Sequence, residues 1–108
     1  MRLSELQPKF MKWTDDTYWH ETDTIEGADG IIFLCPRCFA ENGGPVGTES
    51  VICWSPSVPQ TTSPKPGRWN LVGTSFEDLS LVAGSSSVLL TGHAHFHVTN
   101  GEIIHCPP

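Results

Sequence analysis

Thr91-Gly92-His93-Ala94-His95-Phe96-His97-Val98-Thr99-Asn100-Gly101-Glu102-Ile103-Ile104-His105-Cys106 is the stretch on which the fold turns. Asn-Gly between alternating residues is the strongest short hairpin signal, because a type I′ turn needs positive φ at both central positions. Asn100-Gly101 therefore predicts a two-residue turn. Thr99 then stands opposite Glu102, Val98 opposite Ile103, His97 opposite Ile104, Phe96 opposite His105 and His95 opposite Cys106. Side chains alternate with period 2, so Phe96, Val98 and Ile103 share a core face, while His93, His95, His97 and Cys106 share the other. Directly opposed residues hold their Cβ atoms about 4.5 to 5.5 Å apart, from which two side chains on neighbouring strands can reach one ion. The second face is read as a row of metal ligands.

The other half of that reading is Cys35-Pro36-Arg37-Cys38. In a secreted domain four cysteines would first suggest two disulfides. The N-terminus carries no charged-then-apolar signal pattern, and no run approaches the roughly 18 apolar residues of a membrane span, so the chain is expected to be soluble and intracellular. That moves the cysteines towards metal. Redox chemistry is the rival for the pair: a thioredoxin-like motif needs a helix starting at the first cysteine within a βαβ unit, and Phe39-Ala40-Glu41-Asn42-Gly43-Gly44-Pro45 is short and rich in helix breakers. Plain buried thiols are the remaining alternative.

Composition bounds the function. At 108 residues the chain is one domain with a modest core, in which a metal staple would matter. Twelve acidic against six basic residues give a formal charge of −6, and the basic ones (Arg2, Lys9, Lys12, Arg37, Lys65 and Arg68) are scattered. Nucleic-acid binding through phosphates, which takes a basic stripe, is disfavoured.

Residues 1–13 read as a short helix or as an N-terminal arm packed on the sheet: Leu3, Leu6 and Phe10 have helical spacing and Ser4 with Gln7 resembles a capping box, but Pro8 interrupts. Asp15 to Asp29 holds six of the twelve carboxylates and reads as a solvated loop, with a surface for a basic partner as the functional alternative. Gly30-Ile31-Ile32-Phe33-Leu34 is a strand buried on both faces that delivers the Cys-x-x-Cys into a zinc-knuckle-like turn, and Ser50-Val51-Ile52-Cys53-Trp54 is a second strand. Cys53 sits between apolar neighbours and reads as core, with ligation as its rival role. Residues 55–67 hold four prolines and form an exposed loop. Further strands are expected at Arg68-Trp69-Asn70-Leu71-Val72, Leu79-Ser80-Leu81-Val82 and Val88-Leu89-Leu90, with a turn about Phe76-Glu77-Asp78 in which Asp78 caps rather than catalyses. The sum is a mainly β, single-domain protein: a small antiparallel sheet of about five to seven short strands with a C-terminal hairpin.

The succession from Gly30 through Cys35-Pro36-Arg37-Cys38-Phe39, Val51-Ile52-Cys53-Trp54, Gly67-Arg68-Trp69, Gly73 to Leu79, Ser87 to Gly92 and His95 to Gly101 resembles a family of small domains of unknown function common in bacteriophages and prophages. The resemblance covers most of the chain. It implies a β-rich zinc-binding domain, in the host cytoplasm if phage-encoded, whose ligands include the Cys-x-x-Cys and the histidine matching His95. Members often carry another cysteine near the position of Gly92 and a histidine near that of Glu49; this chain has neither, which shifts the remaining ligand to His93 or Cys106.

Weighed singly, Cys35 and Cys38 lead, His95 follows, and Cys106 competes with His93 for the fourth place. Cys106 would give a Cys3His sphere, a common closed zinc site, whereas His93 with His95 would chelate from one strand. His97 is expected outside the coordination sphere, and His105 beside Phe96. Two functional classes follow. One is a structural zinc domain serving as an interaction module for a protein partner. The other is a metal-dependent hydrolase with an open coordination position and a carboxylate base. No His-Glu-x-x-His signature is present, and Glu102, the acidic residue nearest the hairpin, lies at its far end from His95.

Overall fold

In a computed structural model, residues 1–15, 18–83, 87–90 and 94–106 are described. They form nine strands in three antiparallel sheets, so the chain is mainly β as its patterning predicts, though divided among sheets rather than gathered in one. β1 (Lys9–Asp15), β2 (Tyr18–Thr22), β3 (Gly30–Leu34) and β4 (Ser50–Trp54) make a four-stranded sheet in the order β2-β1-β3-β4. β5 (Asn70–Val72) pairs with β6 (Ser80–Val82), and β7 (Val88–Leu90), β8 (Ala94–Thr99) and β9 (Glu102–His105) form the third sheet.

The terminal hairpin has the predicted register, Thr99 with Glu102 through Phe96 with His105. Asn100 and Gly101 take φ of 48° and 75°, as a type I′ turn requires. Phe96, Val98 and Ile103 are buried, and His105 lies edge-on to Phe96.

β3 is covered on both faces. Phe10, Ile31, Phe33, Val51 and Cys53 face a large core shared with Val88, Phe96, Val98 and Ile103 of the third sheet and with Leu79 and Leu81. The reverse face carries Met11 and Trp54, joined by Trp13, Trp19, Ile32 and Ile52. Val58 seals this second cluster from the proline-rich segment, which is therefore more than the exposed loop expected of 55–67. The same segment is gathered around Arg68, whose guanidinium donates to the carbonyls of Val58, Pro59, Thr62, Pro64 and Gly67 at 2.5 to 3.1 Å.

Three other expectations are corrected. Residues 1–13 are not a helix: only Leu3–Leu6 form a 3-10 turn, closed by the Arg2 N–H on the Glu5 carboxylate at 2.6 Å rather than by a Ser4–Gln7 box. Gln7 in the left-handed region and then Pro8 stop it, and Lys9 starts a strand. The arm alternative holds, since Leu3 N–H donates to Gly101 O and Ile103 N–H to Met1 O, laying Met1 to Leu3 along the edge of β9.

The acidic stretch is not all loop. β2 pairs with β1, setting Trp13 opposite Trp19 and Lys12 opposite His20. A half-buried Trp19 between exposed Tyr18 and His20 carries an edge strand that the carboxylate density concealed.

Cys35-Pro36-Arg37-Cys38 is not a bare turn: α1 (Pro36–Asn42) begins on it. Proline at the first helical position loses no hydrogen bond, and Arg37 pairs with Glu41 one turn on at 2.8 Å. Gly43, at φ 67°, ends the helix, and the Gly44 N–H donates to Phe39 O at 3.0 Å. The breakers bound the helix instead of forbidding it.

Candidate metal centre

Cys35 follows β3 directly. Its N–H donates to the Glu49 carbonyl at 2.8 Å, extending the β3–β4 ladder by one pair, and its side chain then caps α1. The Cys38 N–H donates to Cys35 Sγ at 3.5 Å, so the two sulfurs sit on one short arc of backbone with an amide aimed at the first. Such amides stabilise a thiolate. Burial pushes the Cys35 thiol up, against the pull of the Cys38 and Arg37 amides. Both cysteines are buried thiols outside any disulfide, as is Cys53.

Cys53 stands opposite Ile31, four residues along β3 from Cys35, a separation of about 13 Å of strand. It cannot share an ion with the pair. Its thiol, fully buried, is pushed strongly up, which marks it as the small core residue expected.

His95 and Cys106 are neighbours, with the Cys106 N–H donating to the His95 carbonyl at 2.9 Å. They occupy the outer face of the third sheet: Ala94 and Phe96 on either side of His95 point into the core that holds Cys35 and Cys38, and His95 is exposed. His97 lies on the same outer face, opposite Ile104. His93 lies outside the described residues. The candidate ligands among the described residues thus fall into two pairs, Cys35 with Cys38 and His95 with Cys106, and among the described residues no group of three or more His, Cys, Asp or Glu could hold a metal ion. Two thiols on a capped turn fit half of a tetrahedral zinc sphere.

Glu49 enters the sequence analysis only as a position that lacks a histidine. The ladder sets it opposite Cys35, an assignment legible only once residues 30–34 and 50–54 are known to pair in that register. Glu102, the carboxylate considered for a hydrolase, pairs with Arg2 at 2.5 Å beside the turn. Asp78 has the capping role expected, accepting from the N–H groups of Thr74 and Ser75 at 2.8 and 2.9 Å.

Compared with known proteins, the chain matches no family model, no curated protein and no solved structure. No helix among the described residues is long and apolar enough to cross a membrane.

Proposed function

We propose that the chain is a small zinc-binding domain with a structural metal, acting as a phage-associated interaction module for a protein partner. The observation that supports this most is the Cys38 N–H on Cys35 Sγ: two buried cysteines on a capped turn, with an amide aimed at the sulfur that would carry the charge. In this reading Cys35 and Cys38 anchor the ion, and His95 with either Cys106 or His93 would complete the sphere only with a rearrangement of the third sheet, on whose outer face His95 and Cys106 stand. Zinc binding would then add to folding free energy, because these ligands are far apart in the unfolded chain. The hydrolase alternative gains little, since the carboxylate considered for it is engaged by Arg2.

A second reading is favoured by α1. A helix does start at the first cysteine, as a redox dithiol requires, although β3 and β4 on either side of it pair antiparallel and no βαβ unit is formed.

One experiment tests both. Elemental analysis of the purified protein should find about one zinc per chain, lost in Cys35→Ser and Cys38→Ser and retained in Cys53→Ala. His93→Ala, His95→Ala and Cys106→Ser identify the remaining ligands by the same readout. Absence of transition metal together with a Cys35–Cys38 disulfide would replace the zinc reading with the redox one.

A further inference from the structure

Ladder parity shows which backbone groups two sheet edges leave over. On β3 and β4 the hydrogen-bonded pairs are Ile31 with Cys53 and Phe33 with Val51, in phase with Cys35 N–H on Glu49 O at 2.8 Å and Ser55 N–H on Asp29 O at 2.7 Å. Ser50 and Ile52 therefore aim their N–H and C=O groups away from β3. On the third sheet, the Cys106 N–H on His95 O marks the odd residues of β8 as bonded to β9, which leaves Ala94 and Phe96 to bond Leu90 and Val88. Leu89 then aims its N–H and C=O away from β8.

β4 and β7 are both edges of their sheets, and Ser50, Ile52 and Leu89 all line one groove of about 700 Å³. Among the described residues none of the three has a backbone partner on that side. Unpaired edges facing water are common, and by themselves decide nothing. Three further features set this groove apart. Its wall is apolar, built from Trp69, Leu89 and two prolines of the 55–67 segment. The Trp69 indole N–H is buried without an acceptor. In a chain of net charge −6, the lining holds no carboxylate, one lysine (Lys65) and His95.

We propose that this groove binds an extended segment of a partner protein by strand addition, inserted between β4 and β7. Its backbone would pair with Leu89 on one side and with Ser50 and Ile52 on the other, with apolar side chains at alternate positions and a carboxylate beside Lys65. An extended backbone offers the alternating donors and acceptors that an unpaired strand edge presents. This deepens the interaction-module reading, on whose partner-binding part it rests, and it does not require the metal.

The test passes a pooled library of random decapeptides over immobilised full-length protein, in parallel with Leu89→Pro and Lys65→Glu. Proline at Leu89 deletes only the outward N–H and leaves the β7–β8 bonds in place. Circular dichroism and zinc content, measured on all three proteins, separate loss of the groove from loss of fold or of metal. Peptides retained by the wild type should alternate apolar residues and carry an acidic one. They should bind Leu89→Pro and Lys65→Glu about tenfold more weakly, and slow amide exchange at Leu89 and Ile52. Retention of nothing, retention of the same sequences by Leu89→Pro as by the wild type, or binding without protection of those two amides would overturn the proposal. If the fold of Leu89→Pro is lost, Lys65→Glu and the exchange measurement decide alone. A protein that binds such peptides but holds no zinc would sink the metal reading and leave this one standing.

Discussion

Phe33 of β3 meets the edge of Phe96 of β8, their ring centroids 6.0 Å apart and their planes at 74°. Each belongs to a different sheet, and both are almost wholly buried, so this contact joins the two halves of the core. Phe96→Ala should lower stability by about 3–5 kcal/mol, the range for emptying a packed aromatic site. Urea unfolding would show it as a lower midpoint at unchanged slope. A loss below about 1 kcal/mol would mean that the sheets do not share this core.

Arg68 donates to five backbone carbonyls between Val58 and Gly67. Lysine keeps the charge but not the planar fork. Arg68→Lys should leave the strands folded and expose the 55–67 segment, with cleavage within it by proteinase K accelerated at least severalfold over the wild type. Equal digestion rates would show that the guanidinium does not hold the segment.

Amide donors from Ser75 and Thr74 hold the Asp78 carboxyl below the usual carboxylate range. A folded-state pKa that is depressed contributes stability present above the unfolded pKa, near 3.9, and lost as pH falls through the folded value. Asp78→Asn should therefore flatten the decline in melting temperature below about pH 4 relative to the wild type. An identical acid limb in both proteins would count against the capping role.

Thiol accessibility gives a fourth check. Cys106 is half-buried, whereas Cys53 has no exposed surface and its thiol is pushed strongly up. Iodoacetamide at neutral pH should label Cys106 first, and Cys53 only under unfolding conditions, as read by peptide mass spectrometry. Early labelling of Cys53 would contradict its place in the core.

Gly101 combines two demands. Its φ is 75°, and a Cβ there would run into the Glu77 carbonyl. Gly101→Ala should cost more than the roughly 1 kcal/mol of positive φ alone, whereas Asn100→Gly, which relaxes the same turn without adding atoms, should cost well under that in the same thermal melt.

The readable parts of this chain were those whose local pattern had one solution. Asn100-Gly101 fixed a turn and, through it, a register, and Gly30 to Leu34 and Ser50 to Trp54 are strands to the residue. The misreadings fall where a strong local feature hid a weaker one. Carboxylates masked β2, whose place is secured by pairing with β1 and by one tryptophan. Glycines and a proline masked α1, which is short enough to fit before them. Period 2 placed His95 and Cys106 together and opposite to Phe96, but not on which side of the sheet Cys35 would lie. That depends on how two sheets stack, and stacking leaves no mark in the spacing of residues.

The bridge between Arg2 and Glu102 bears on when the protein can be finished. The first residues of the chain complete the edge of its last strand, so the ends of a loop of about a hundred residues must meet before the third sheet is whole. Closing such a loop costs entropy that no nearby contact returns. β1 to β4 can pair among themselves, yet the border between β9 and residues 1–3 forms only once that loop has closed. Until it closes, the edge of β9 is bare and open to joining a wrong strand.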